Sequence, residues 1–240
     1  MQFSETQMEI LGLFVNINPS IMFKPGQKVS TISNNRNILG SVVFDDIEFE
    51  RKAPIYDLGN LMKTIKVLSK NTNANCDVDF HDQYVNVSHA RSKMKYYYAE
   101  ERMITTPPEK INSLGEPAVS TMLFNDQLTQ IFATASLYQL PDLCFQGENG
   151  ILSAIVTDKR NKTANSLEIK LGEAEKDFCF CMKVENLGVI QCAGSPCRAV
   201  KGYKIDLFEQ KVAKMYGIPL ERTSIQNLEL MIALEPDSEY

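Results

Sequence analysis

The chain has 240 residues, enough for one large domain or two ordinary ones, and its 44% hydrophobic and 23% charged residues are an ordinary globular balance. With 30 acidic and 25 basic residues its net charge is −5, which excludes a protein that coats nucleic acid with its whole surface but leaves room for a local basic patch. No run reaches the eighteen or so apolar residues that span a bilayer, and "MQFSETQMEI" lacks the pattern of a secretion signal.

These features point to a soluble intracellular protein. Its six cysteines, Cys76, Cys144, Cys179, Cys181, Cys192 and Cys197, then read as reduced thiols.

In chain order, residues 4–15 ("SETQMEILGLFV") begin with a capping-box pattern, Ser4 with Gln7 three residues on. Met8, Leu11 and Val15, flanked by Ile10 and Phe14, give an apolar face at helical spacing. The strand-like segments "IMFK", "QKVSTIS" and "ILGSVVF" follow, separated by the turn chemistry of "KPGQ" and "NNRN". A second helix is expected in "DLGNLMKTIKVLSK", residues 57–70, with Asp57 as its N-cap. Three further β segments complete this half: "CDVDF", "YVNVSHA" and "KMKYYYAE".

Residues 103–118 carry three prolines and a glycine among scattered polar residues and read as an extended connector. The order then repeats. "FNDQLTQIFATASLY" is helical, with Asn125 as the expected cap, and "DLCFQ", "ILSAIVTD", "SLEIKL" and "DFCFCMKV" are strands with a hairpin signal at "GENG". A short helix in "VENLGVIQ" and the strands "YKIDLF" and "NLELMIALE" close the chain, while "KVAKMYGI" is ambiguous between helix and strand. Each half thus reads helix, strands, helix, strands, a duplicated α+β module.

The 57–70 helix has an unusual charge pattern. Leu58, Leu61, Met62, Ile65 and Leu68 share one arc, and Lys63, Lys66 and Lys70 share another that carries no acid. A merely solvated helix face ordinarily mixes signs and gains i,i+4 pairs, whereas these like charges repel mildly. A modest anionic partner is the alternative to simple solvation, the patch being too small for tight nucleic-acid binding. The spacing C-x-C…C-x4-C suits structural zinc poorly, and in "FCFCMKV" the cysteines alternate with Phe178, Phe180 and Met182 as along a buried strand.

The segment order, together with "INPSIMFKPGQ" (17–27), "IYDLGNLMKTI" (55–65), "ARS" (90–92) and "IALEPDS" (232–238), resembles the DNA polymerase sliding clamps of T-even-type bacteriophages, related in fold to proliferating cell nuclear antigen. The resemblance is colinear through most of residues 1–110, looser through 119–200, and returns at the end.

It implies an α+β chain of two similar clamp-type domains, with helices on one face of antiparallel sheets, assembling into a closed homotrimeric ring. The expected boundaries are a first domain at 1–104, a connector at 105–118 and a second domain at 119–240. The implied function is a processivity factor that encircles duplex DNA and tethers the replicative polymerase, installed by a clamp loader, and also engages the late-transcription machinery in the cytoplasm of the infected bacterial host.

On that reading Lys63, Lys66, Lys70 and Lys183 face DNA phosphates without reading bases, Arg36 or other loop residues adding charge. The sequence departs from a uniformly basic hole: the first helix carries Glu5 and Glu9 with no Lys or Arg, and the helix at 125–138 has no basic residue. The tyrosine-rich strand, an edge that invites pairing with another chain, is expected to supply Lys93, Lys95, Tyr97 and Tyr98 to a subunit interface with Ser166, Leu167, Ile169 and Leu171 of the next copy. A pocket for a polymerase C-terminal peptide is expected from Ile38, Leu39, Ile104, Leu234 and Pro236.

No catalytic role, metal or cofactor is expected. His81 and His89 lack the company of a catalytic base, Walker and G-x-S-x-G motifs are missing, and Asp77 with Asp79 is too sparse a ligand set for metal-assisted hydrolysis. The rival reading is a β-rich single-strand-DNA-binding or phage structural protein, whose tyrosine run stacks on bases.

Overall fold

The computed structural model describes residues 1–69, 76–161, 163–220 and 225–240. The chain divides into two compact units, Met1–Glu109 with Pro219–Leu228, and Lys110–Ile218 with Glu229–Tyr240.

The first unit opens with α1 (Glu5–Ile17). Its capping box is present: Ser4 Oγ accepts from the Gln7 N–H at 3.2 Å, and the Gln7 side-chain oxygen accepts from the Ser4 N–H at 2.8 Å. The strands β1 (Ile21–Phe23), β2 (Lys28–Ile32), β3 (Ile38–Phe44) and β4 (Ala53–Ile55) follow. Next comes α2 (Leu58–Ser69), then β5 (Asp77–Phe80), β6 (Tyr84–His89) and β7 (Ser92–Tyr97).

Asp57 caps α2 as the sequence predicts, its Oδ1 accepting from the Asn60 N–H at 2.8 Å. β1 pairs β4, β2 pairs β3 with the first residues of the last strand beside it, and β5, β6 and β7 form a three-stranded sheet. The core gathers Ile10, Leu13 and Phe14 of α1 with Val42, Phe44, Ile55, Val85 and Val87, all fully buried. Phe23 stacks on Phe49 at 4.6 Å, and Phe80 meets both rings edge-on. Such pairs add about 0.5–1.5 kcal/mol each beyond their buried area.

The second unit runs β8 (Val119–Phe124), α3 (Asn125–Tyr138), β9 (Asp142–Glu148), β10 (Ile151–Thr157), β11 (Leu167–Glu173) and β12 (Phe178–Lys183). The single turn α4 (Val184–Leu187) runs into a 3-10 turn at Gly188–Ile190, and the hairpin β13 (Gln191–Cys192) and β14 (Ser195–Pro196) follows. Three long strands finish the chain: β15 (Val200–Phe208), β16 (Val212–Pro219) and β17 (Ile225–Ala233).

β11, β10, β9 and β12 form a sheet in that order, and β8, β15, β16 and β17 are neighbours in a second. The hairpin expected at "GENG" joins β9 to β10, with Asn149 and Gly150 both at positive φ, as a two-residue primed turn requires.

One open reading is decided and two local expectations need revision. "KVAKMYGI" is a strand, because Ala213 and Met215 alternate with Lys214 and Tyr216 against β17. Asn125 does not cap α3: its side-chain amide donates to the carbonyls of Cys197 and Val200 at 3.1 and 2.7 Å. Nor are all six cysteines reduced thiols, since Cys144 and Cys181 are joined by a disulfide. The antiparallel register of β9 and β12 sets these two residues directly opposite each other.

Candidate nucleic-acid interface and assembly edges

Helix α2 separates its two faces as the sequence requires. Leu58, Leu61, Met62 and Ile65 are buried, whereas Lys63 and Lys66 are exposed and make no ion pair with any described residue. Lys66 lies in the last turn, where a cation also complements the helix dipole. Lys63 sits mid-helix and has no such local reason. Lys70 lies outside the described residues. Arg36 is exposed in the β2–β3 turn at φ 57°, and α3 presents Thr129, Gln130, Ser136 and Leu137 outward with no basic residue.

Lys183 is placed differently. Its ammonium lies 2.6 Å from Asp142 Oδ1 and 3.6 Å from Glu235 Oε2, and the Asp142 side chain is 1% exposed. The hydrogen bond from Lys183 to Asp142 is the main reason its pKa rises above that of an ordinary lysine. Two carboxylates thus neutralise a charge that sequence alone assigns to DNA. The partner Asp142, 41 residues upstream, leaves no local signal in the sequence.

The two sheets that carry the expected interface strands are closed at one end by the chain's own termini. Beside β5, the Met1 amino group donates to the Val78 carbonyl at 3.0 Å, and the Val78 N–H donates back to the Met1 carbonyl at 2.8 Å. Beside β12, Cys179 and Glu239 exchange two backbone hydrogen bonds of 2.8 Å, and the Glu235 N–H donates to the Cys181 carbonyl at 2.7 Å. At the opposite ends, among the described residues, β7 has only β6 as a hydrogen-bonded neighbour and β11 only β10.

Lys93, Lys95 and Tyr97 are exposed along β7, while along β11 Leu167, Ile169 and Leu171 are half-buried after an exposed Ser166. A strand edge of this length with unpaired N–H and C=O groups is a template for another strand. The tyrosines are not a bare platform. Tyr96 Oη donates to the Asp57 carbonyl, Tyr98 Oη donates to the His81 carbonyl, and burial pushes the Tyr98 phenol up to about 12. Only Tyr97, 66% exposed, stands clear, leaning on Tyr84.

Of the expected peptide-pocket residues, Ile38 and Ile104 are buried and Leu39 is half-buried, all in the first unit. Leu234 is buried and Pro236 exposed, both in the second. Pro236 borders a cavity of the second unit, whose lining includes Cys144, Cys179, Cys181, Lys159 and Asp237.

Asp77 and Asp79, considered above as metal ligands, face the chain start instead. Asp77 accepts from the Gln2 side chain, and Asp79 lies 3.9 Å from the Met1 amino group. No helix among the described residues is long and apolar enough to cross a membrane.

No protein-family model matches the chain. A sliding clamp from Vibrio phage KVP40 is 25% identical over 230 residues, covering 92% of this chain and 96% of that protein. Among solved structures, proliferating cellular nuclear antigen from Entamoeba histolytica superposes with a TM-score of 0.70 at 12% identity, covering 95% of this chain and 94% of that one.

The chain has the clamp fold and resembles a phage sliding clamp. The family resemblance read from the short strings above therefore holds. The same clamp fold recurs in the A. fulgidus antigen bound to the C-terminal region of FEN-1 (TM-score 0.68, 12% identity, 97% and 96% covered). It recurs again in the Sulfolobus tokodaii PCNA2–PCNA3 complex (TM-score 0.65, 13% identity, 96% of each chain).

Proposed function

We propose that this chain is a DNA sliding clamp: three copies close into a ring that threads duplex DNA and tethers the replicative polymerase. The likeness in sequence to a phage clamp over 92% of the chain carries this reading. In the ring, β7 of one copy pairs with β11 of the next, through Lys93, Lys95, Tyr97 and Tyr98 against Ser166, Leu167, Ile169 and Leu171. The sealing of β5 and β12 by the chain ends supports that choice, because it leaves those two edges open for a partner strand.

Lys63 and Lys66, with Lys70, meet phosphates across the hole. Contact of that kind is sequence-independent and permits sliding, so threading and not affinity retains the protein. Lys183, already paired with Asp142, contributes little.

Partner peptides, the polymerase C-terminus among them, dock near Ile38, Leu39, Ile104, Leu234 and Pro236. The antigen solved with a FEN-1 C-terminal region is a precedent for a clamp fold taking a tail peptide. A clamp loader opens the ring, and the late-transcription machinery is a further partner, in the cytoplasm of the infected bacterial host.

The test is topological. With a cognate loader, the protein is expected to stay on circular duplex DNA and to be lost when the circle is linearised. Equal retention on both forms, or strong binding to short single strands, sinks the reading. The rival single-strand-binding reading is weakened by the tyrosines, two of whose three hydroxyls are already engaged within the unit.

A further inference from the structure

The cysteine pattern in the second unit is not absorbed by clamp function. Cys179 and Cys181 lie two residues apart on one face of β12, and Cys144 on β9 faces Cys181 across the register. The three sulfur atoms lie within 4.8 Å of one another, the only such group of His, Cys, Asp and Glu side chains found among the described residues. Cys179 Sγ is 3.6 Å from Cys181 Sγ. Cys144 and Cys181 are each 4% exposed, and Cys179 is half-buried at the wall of the cavity that Lys159, Arg160 and Asp237 also line.

We propose that Cys144, Cys179 and Cys181, once reduced, form a three-thiolate site for a soft d10 cation of the Zn²⁺ or Cu⁺ type, with a remaining coordination position turned to the cavity. A dithiol reductant supplies two electrons and two protons to the Cys144–Cys181 bond, giving two thiols while the reductant becomes a disulfide. Binding then replaces three S–H bonds with three sulfur–metal bonds and releases three protons.

Zn–S bonds of about 2.3 Å around a tetrahedral ion set sulfurs about 3.8 Å apart. The Cys179–Cys181 separation is already of that order, so the strand needs little movement. Sulfur donors select Cu⁺ and Zn²⁺ over Mg²⁺ or Ca²⁺. Burial raises the Cys179 thiol, Asp237 and Glu239 add to that rise, and the Lys159 ammonium, itself paired with Asp237, opposes it in part, so the metal must displace the thiol protons.

The experiment is metal titration of the 240-residue chain, reduced and then freed of reductant, with Cd²⁺ as an optical probe. Zn²⁺ and Cu⁺ compete in separate arms and distinguish the two ions. One equivalent per chain and a thiolate-to-cadmium charge-transfer band are expected. Cys179→Ser should weaken binding by more than the roughly 10–100-fold that loss of an outer-shell partner costs. Cys192→Ser, outside the cluster, should leave binding unchanged.

Because Cys179 is half-buried, its serine variant is expected to stay folded. Circular dichroism checks this, and Cys179→Ala serves as a second variant. A band as strong in both Cys179 variants as in the parent overturns the proposal, as does its loss in Cys192→Ser. Failure of the Cys144–Cys181 bond to reduce without unfolding overturns it too.

Discussion

The Lys183 ammonium sits 2.6 Å from a carboxylate of Asp142 that is 1% exposed, and 3.6 Å from Glu235. Removing the cation leaves Asp142 charged and buried, its Oδ2 still accepting the Lys159 N–H at 3.2 Å. Breaking one half of a buried pair costs about 3–5 kcal/mol, whereas replacing both halves with apolar groups is often neutral. Lys183→Met should therefore lower the urea midpoint sharply, and Asp142→Leu in the same chain should recover much of the loss.

The same pair sets a pH dependence. The folded pKa of Lys183 is raised, so its contribution is complete below the unfolded lysine value of about 10.4 and fades as pH climbs through the folded value. The stability gap between parent and Lys183→Met should stay constant from neutral pH to about pH 10 and narrow above that. Urea melts across that range check the sign. A gap that closes on acidification instead would contradict it.

Lys63 and Lys66 are exposed and distant from the buried arc of α2, so Lys63→Glu with Lys66→Glu should change thermal stability by no more than about 0.5 kcal/mol per site. Affinity for short linear duplex should fall, and its salt dependence should flatten, since each phosphate contact contributes a slope of about 0.9 in log K against log salt. An unchanged slope would remove these lysines from the DNA path.

Proline has no N–H to offer a neighbouring strand. Tyr97→Pro on β7 or Leu167→Pro on β11 should yield folded monomers of 27.1 kDa in sedimentation, in place of an assembly of three such chains, about 81 kDa. Persistence of the larger species in both variants would exclude this strand pairing.

The expected peptide pocket separates binding from folding. Leu39 is half-buried, so Leu39→Asp should weaken a polymerase C-terminal peptide at least tenfold with little loss of stability. Leu234 is buried, and its N–H donates to the Lys211 carbonyl, so Leu234→Asp should also cost stability. Calorimetry against the peptide, run beside a thermal melt, distinguishes the two effects. Unchanged peptide affinity in both variants would exclude the pocket.

Elements with a local signature were legible in the sequence. The Ser4 capping box, the Asp57 cap, the Asn149–Gly150 turn and the segregated faces of α2 all follow from spacings of a few residues. The strands that sequence left unnamed or ambiguous lacked such marks. β4 contains Pro54 at its centre, β8 runs into α3 with no turn residue between, and β16 carries Ala213, Lys214 and Met215 in a row, residues that favour helices in isolation. Pairing with distant strands decided these cases. The site shows the same limit: Asp142 beside Lys183 and Cys144 beside Cys181 are brought together only by the β9–β12 register.

The chain ends that close β5 and β12 leave each of those two sheets one open edge among the described residues. In the proposed ring β7 and β11 alone link one copy to the next, and such divalent links can close a loop or run on as a fibre but cannot branch. Stripping away Met1 or the 235–239 tail would raise that valence. The foreseeable result is cross-linked precipitate, so an affinity tag spliced directly onto either end is a poor choice for preparing this protein.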